Sequence, residues 1–232
     1  TYSLVYTVAN AYAGGILAPN GDIYFIPFNA AVGQKINSSG VVSTYSLVYT
    51  TTTDYAYQGG VLSPSGEVHF VPRSAPVGQK ISSAGVVSTY SLVYTISQAY
   101  AGGVLAPNGD IHFMAANANR GQKISAANVV STYSLVYTTS SAYNGGVLAP
   151  NGDIHFIPNT GTVGQKVSTV TGVVSTYALV YTIASSYFGG VLTPNGDIHF
   201  VPYFAAVGQK ISTLSAKNFS PLLAQSPFFN KF

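Results

Sequence analysis

One stretch occurs five times and sets what the chain can become. In its fourth copy it reads Tyr143-Asn144-Gly145-Gly146-Val147-Leu148-Ala149-Pro150-Asn151-Gly152-Asp153-Ile154-His155-Phe156-Ile157-Pro158. Two short apolar runs flank Pro-Asn-Gly. Asn-Gly between apolar runs is the strongest short signal for a tight antiparallel hairpin. Gly-Gly opens the first run, where the lack of a side chain permits close backbone approach.

Gly-Gly begins at Gly14, Gly59, Gly102, Gly145 and Gly189, with spacings of 45, 43, 43 and 44 residues. A fixed period of that size marks a solenoid, a propeller or an array. Each unit holds four strand-like runs. In the first unit they are expected at Ala13–Pro19, Asp22–Pro27, Gly33–Asn37 and Val41–Thr50. Tyr45, Leu47 and Tyr49 alternate with Ser46 and Val48, so both faces of such a sheet carry apolar groups. One sheet cannot bury two faces alone, whereas a ring of sheets buries both against neighbours.

The reading is therefore all-β: a five-bladed β-propeller of four-stranded antiparallel blades over residues 1–212, followed by an apolar tail at 213–232. A parallel β-helix is the runner-up, weakened by the antiparallel hairpin. The fifth unit lacks a Tyr-Ser-Leu-Val-Tyr segment after Ile211, while Thr1–Thr7 has one. Thr1–Thr7 is expected to supply that fourth strand and close the ring. In register, Lys217–Leu223 is a competitor, with Pro221 arguing against a central strand. The first residues carry no basic region and do not read as a signal peptide. The absence of a starting Met suggests a processed or excised fragment.

Composition narrows the function classes. Only 6% of residues are charged and 47% are hydrophobic, yet no apolar run is long enough to span a membrane as a helix. Without cysteine there is neither a disulfide nor a thiolate site. The net charge is +3, and Lys35, Lys80, Lys123, Lys166 and Lys210 are dispersed one per unit, so nucleic acid is not an expected partner.

Differences among the repeats point to a face. In an antiparallel meander, the turn after the second strand and the crossover to the next unit emerge on the same side. The first set contains Asn29, Arg73, Asn117, Asn159 and Tyr203, within turns that vary from unit to unit. Each crossover keeps one tyrosine: Tyr12, Tyr57, Tyr100, Tyr143 and Tyr187. Variable loops on a rigid frame are where binding sits. These ten residues are the candidate ligand-binding set. The tyrosines have two readings, stacking on sugar rings or closing gaps between blades.

His69, His112, His155 and His199, with Tyr24 in the first unit, share one strand position. Equivalent positions in neighbouring blades should lie about 10 Å apart, too far for zinc bonds of about 2 Å, so they read as packing residues and no metal is expected. Asp22, Glu67, Asp110, Asp153 and Asp197 follow the hairpin turn and read as turn stabilisers or partners of the third-strand lysines. Because the inner strands carry no ionisable residue, a two-carboxylate mechanism has no place on the axis. The chain is accordingly expected not to be an enzyme and to need no cofactor.

The Leu-Ala-Pro-Asn-Gly-Asp-Ile-His-Phe-Ile-Pro hairpin resembles those of propeller repeats. Five such units are similar to the tachylectin-2-like lectins, and the repeats also look like those of uncharacterised marine bacterial and phage proteins. The first resemblance implies binding of N-acetyl sugars, and the second a host-recognition or particle-surface role. No site residue is carried over from either. The expected function is a non-catalytic, multivalent binding propeller for a glycan or other surface ligand, with an extracellular or virion-surface location favoured. The alternative is an assembly protein that engages a protein partner through its tail.

Overall fold

The computed structural model describes residues 1–213 and contains five antiparallel sheets. Sheet one is β1 (Tyr12–Leu17), β2 (Ile23–Pro27), β3 (Gly33–Ile36) and β4 (Val42–Tyr45). Sheet two is β5 (Tyr57–Leu62), β6 (Val68–Pro72), β7 (Val77–Ile81) and β8 (Val87–Ser91). Sheet three is β9 (Tyr100–Leu105), β10 (Ile111–Ala115), β11 (Arg120–Ile124) and β12 (Val130–Ser134). Sheet four is β13 (Tyr143–Leu148), β14 (Asp153–Pro158), β15 (Val163–Ser168) and β16 (Val174–Ala178). Sheet five has three described strands, β17 (Tyr187–Leu192), β18 (Asp197–Pro202) and β19 (Gln209–Ser212).

The hairpin turn is made by three residues rather than two. Gly21 N–H donates to the Ala18 carbonyl across Pro19-Asn20, and only Gly21 takes a positive φ, of 84°. This is a type I turn followed by a left-handed glycine, a geometry that places proline at its favoured first central position.

The register repeats from sheet to sheet. In sheet three, Ile111 stands between Leu105 and Ile124, His112 between Val104 and Lys123, and Phe113 between Gly103 and Gln122. The inner strands β1, β5, β9, β13 and β17 stand side by side in chain order. Each carries a register shift around its Gly-Gly pair. Gly59 has φ of 76°, and a Cβ built on it would lie 3.5 Å from the Gly102 backbone. The bulge and the glycine together let the inner strands converge.

Packing between sheets forms the core. Ile16, Tyr24 and Ile26 of sheet one bury against Tyr57, Val68, Phe70 and Ile81 of sheet two. Three further clusters repeat the arrangement along the chain.

The expected strand Val41–Thr50 ends at Tyr45, and the ring closure expected from Thr1–Thr7 is not what the structure shows. Val48 and Tyr49 leave the sheet because both amides donate to Gln79 Oε1, at 3.0 and 2.8 Å. Thr1–Thr7 shares the Tyr-Ser-Leu-Val-Tyr sequence and behaves as those crossovers do. It forms no strand, and the Val5 and Tyr6 amides donate to Gln34 Oε1, each at 2.9 Å. It thus lies on sheet one rather than on sheet five. Alternating apolar residues read as a strand, but a buried glutamine acceptor on the next sheet captures their backbone. The tail expectation, including Lys217–Leu223, falls outside the described residues.

Candidate functional site

The turn after each second strand and the following crossover share a face, as expected. Ala56 N–H donates to the Phe28 carbonyl, Ala99 to Arg73, Ala142 to Ala116 and Ser186 to Asn159. These bonds hold the variable residues of successive sheets against one another. They surround a cavity of about 270 Å³ to which all five sheets contribute.

Sheet one gives Phe28; sheet two gives Gln58 and Arg73; the third sheet and its crossover give Gln98, Ala101 and Ala116. The fourth gives Ser141, Tyr143, Asn144 and Asn159, and the fifth gives Phe188. The lining is aromatic and amide-rich. Arg73 is its one charged member.

Arg73 is held by neutral groups. Its Nη1 donates to Gln58 Oε1 and its Nη2 to Gln98 Oε1 at 2.7 Å. Its guanidinium carbon lies 5.8 Å from the Phe28 ring centroid and 5.9 Å from that of Tyr55. Those two rings stack with centroids 4.3 Å apart. Burial pulls the Arg73 pKa below its usual value, with Tyr55 opposing the shift; a guanidinium stays charged nonetheless. No acid pairs with it among the described residues. Asp22, Glu67, Asp110, Asp153 and Asp197 are taken by Lys35, Lys80, Lys123, Lys166 and Lys210 at 2.6–2.7 Å. Those pairs adjoin the hairpin turns, at the other end of the strands.

The ten residues expected to bind ligand part company here. Arg73, Asn159 and Tyr143 line the cavity. Asn29 and Asn117 instead accept the amides of Tyr55 and Ser141, at 3.2 and 2.7 Å, and so fix the next crossover. Tyr203 is exposed and stacks on Phe204, with Phe188 nearby. Tyr57, Tyr100, Tyr143 and Tyr187 are buried, and each hydroxyl donates to a backbone carbonyl twenty residues on: Val77, Arg120, Val163 and Val207. Tyr12 makes the same bond to Val32 at 2.9 Å. This geometry makes them gap-closing residues, with no free ring face in sheets two to five for a sugar to stack on. The variable loops therefore build one shared cavity rather than five equal tyrosine sites.

Gln58, Ala101, Asn144 and Phe188 were not anticipated. All four occupy the position between the crossover tyrosine and Gly-Gly, which takes four residue types in five units (alanine twice) while its neighbours do not change. That contrast was the available signal.

His69, His112 and His155 are buried in the seams rather than in the cavity, whereas His199, expected to pack in the same way, is exposed on sheet five. His112 Nδ1 is 3.3 Å from the Tyr133 hydroxyl and His155 Nδ1 is 3.2 Å from that of Tyr177. Burial pushes His69, His112 and His155 each down to about 4. Among the described residues no three His, Asp or Glu side chains gather as a metal site would require.

No protein-family model matches the chain, and no curated protein matches it. Solved structures do. A virginiamycin B lyase from Staphylococcus aureus aligns with a TM-score of 0.75 at 21% identity, over 88% of this chain and 67% of that one. The scaffold is that of a β-propeller. A streptogramin B lyase aligns with a TM-score of 0.74 at 22% identity, over 88% of this chain and 66% of that one. A putative gluconolactonase aligns with a TM-score of 0.59 at 12% identity, over 82% of this chain and 71% of that one. The chain thus spans about two thirds of the length of the two lyases. These identities carry the fold alone.

They also correct one expectation. The chain was expected not to be an enzyme because its inner strands lack ionisable groups. Lyases share this architecture at a TM-score of 0.75, so bare inner strands give no ground for setting catalysis aside. The expected lectin resemblance and phage origin receive no support from these likenesses.

Proposed function

We propose that the five-sheet cavity binds an anionic ligand, a glycan or other surface molecule bearing a carboxylate or sulfate group. The observation that carries this reading is Arg73, a half-buried cation held only by two glutamine carbonyls and two aromatic rings. Its two bonds to glutamine leave one N–H free on each terminal nitrogen, a fork suited to an oxyanion. Removing a cation from water without an opposite charge is costly, and a ligand anion offsets that cost. Gln58, Gln98, Asn144 and Asn159 offer amides for hydroxyl groups, and Phe28 and Phe188 offer apolar walls.

Titration calorimetry with glucuronate- and sulfate-bearing oligosaccharides against their neutral counterparts tests this. Acidic members are expected to bind at least about tenfold more tightly, and Arg73→Gln to remove that preference, as loss of a charge-assisted hydrogen bond of about 1.5–3 kcal/mol implies. Equal binding of neutral sugars, or unchanged preference in the variant, overturns the reading.

A second reading treats the bound anion as a substrate. The architecture shared with the lyases and the gluconolactonase favours it. A screen of lactone hydrolysis and ester elimination, with Arg73→Gln as the paired control, checks it. Turnover lost in the variant supports this reading; turnover independent of Arg73 places it elsewhere.

A further inference from the structure

The five sheets make an arc with two uncovered ends. Strand β1 neighbours β5, β5 neighbours β9, β9 neighbours β13 and β13 neighbours β17, but no comparable adjacency joins β17 to β1 among the described residues. The side chains at the two ends show the consequence. Leu17 and Ile23 of sheet one are 43% and 38% exposed, whereas Val68, the counterpart of Ile23 in sheet two, is 1% exposed. Val191 and Val201 of sheet five are 42% and 45% exposed, against 6% and 0% for Ile16 and Ile26, their counterparts in sheet one. One end presents the near side of an interface that the chain makes four times, and the other end presents its far side. Exposed apolar faces of that kind mark an interaction surface.

We propose that these two faces close on a partner of the same material: two further four-stranded modules of this repeat, joined in line with the chain and standing between sheet five and sheet one. The number follows from the arc. The alignment covers 88% of 232 residues, about 204, and these are 67% of the virginiamycin B lyase chain, which leaves about 100 of its residues, or roughly two modules of this period. A second copy of the chain brings five modules to a gap for two. The in-line source follows from the seating of Val5 and Tyr6 on Gln34. Chain arriving from the preceding sheet makes that same contact at Gln79, Gln122 and Gln165. Completing the ring also walls the cavity around Arg73, although the inference does not depend on what that cavity binds.

Duplicates of residues 89–131, 44–131 or 44–175 placed ahead of Thr1 add one, two or three modules. Binding of a hydrophobic dye and thermal unfolding are the readouts. The two-module chain is expected to lower dye fluorescence at least about threefold and to show the largest rise in Tm. Equal gains with one or three modules overturn the proposal. So does dye binding by the unextended chain that falls as the chain dimerises, because a second copy then covers the faces. Leu17→Glu and Val201→Glu test the faces without any extension. Each is expected to shift the Tm of the present chain by no more than about 2 °C, against about 5 °C or more for Val61→Glu at a covered seam. Equal losses at all three positions show the ends already covered, and the proposal fails.

Discussion

Between pH 6.5 and pH 4 the protein is expected to lose stability steeply, and replacing three histidines by tyrosine is expected to remove most of that loss. His69, His112 and His155 are packed in the seams, and burial pushes each from the ordinary 6.5 down to about 4. Glu67 opposes the shift at His69, while Lys123 and Lys166 add to it at His112 and His155. In the folded protein these rings stay neutral well below the pH at which an unfolded chain protonates them. The stabilisation is complete above about 6.5 and is lost as pH falls toward the folded value of about 4, because the unfolded state then binds the extra protons. Each ring accounts for on the order of 2–3 kcal/mol over that window. Three of them together rival the whole stability of an ordinary domain, about 5–15 kcal/mol. The chain itself supplies the control residue. Sheet one carries Tyr24 in the same register, buried and edge-on to Tyr45 at 5.6 Å, where sheets two to four have histidine beside Tyr90, Tyr133 and Tyr177 at 5.5–5.7 Å. Urea midpoints at pH 7 and pH 4.5 check this. The native chain should drop sharply between them, and His69→Tyr/His112→Tyr/His155→Tyr should drop far less. A native midpoint equal at both pH values rules out histidine burial as the cause. Below the window, Glu67 and Asp110 add a separate loss, since their lysine partners hold both carboxyls below the usual range.

Local chemistry in the sequence reached the structure where one residue type leaves one option. Asn20-Gly21 and its four counterparts announce a hairpin because glycine tolerates the left-handed conformation that ends the turn. Asp110 and Lys123, thirteen residues apart on paired strands, meet at 2.6 Å as their positions suggested. Two features were hidden for physical reasons. Tyr-Ser-Leu-Val-Tyr alternates like a strand, and its departure from the sheet depends on Gln79, thirty residues away, which period-two patterning does not register. The number of modules in a closed ring depends on the angle between sheets, and a repeat count carries no angle. Of the ten candidate residues, only Arg73, Tyr143 and Asn159 line the cavity. Arg73 reads as one variable-loop residue among ten, and its charge in a turn with Ser74, Ala75 and Pro76 is visible in the sequence. The tyrosines misled because their regular recurrence looks alike for a repeated ligand contact and a repeated packing contact. The variation of Gln58, Asn144 and Phe188 beside them separates the two.

Gln122→Ala is expected to cost about 2–4 kcal/mol, although the side chain does not line the cavity. Its Oε1 accepts the amides of Val93 and Tyr94 at 3.0 and 2.9 Å, and the residue is fully buried. Alanine leaves two donors without their acceptor and opens a void where the amide stood, and these effects add. Val93 and Tyr94 belong to the segment that leaves sheet two, whereas Gln122 belongs to the third strand of sheet three. The bond therefore ties one sheet to the next independently of the apolar seam. Gln122→Asn keeps the amide but shortens its reach by one methylene, and it is expected to be nearly as damaging. If burial sets the magnitude, Gln209→Ala should lose less than half as much. Gln209 accepts Val180 and Tyr181 in the same way, but in sheet five it is only half-buried. Urea unfolding gives the energies, and hydrogen exchange at Val93 and Tyr94 reports whether the tie has opened. If Gln122→Ala stays within about 0.5 kcal/mol of the parent with those amides still protected, the apolar seams alone hold neighbouring sheets together and the glutamine is a passenger.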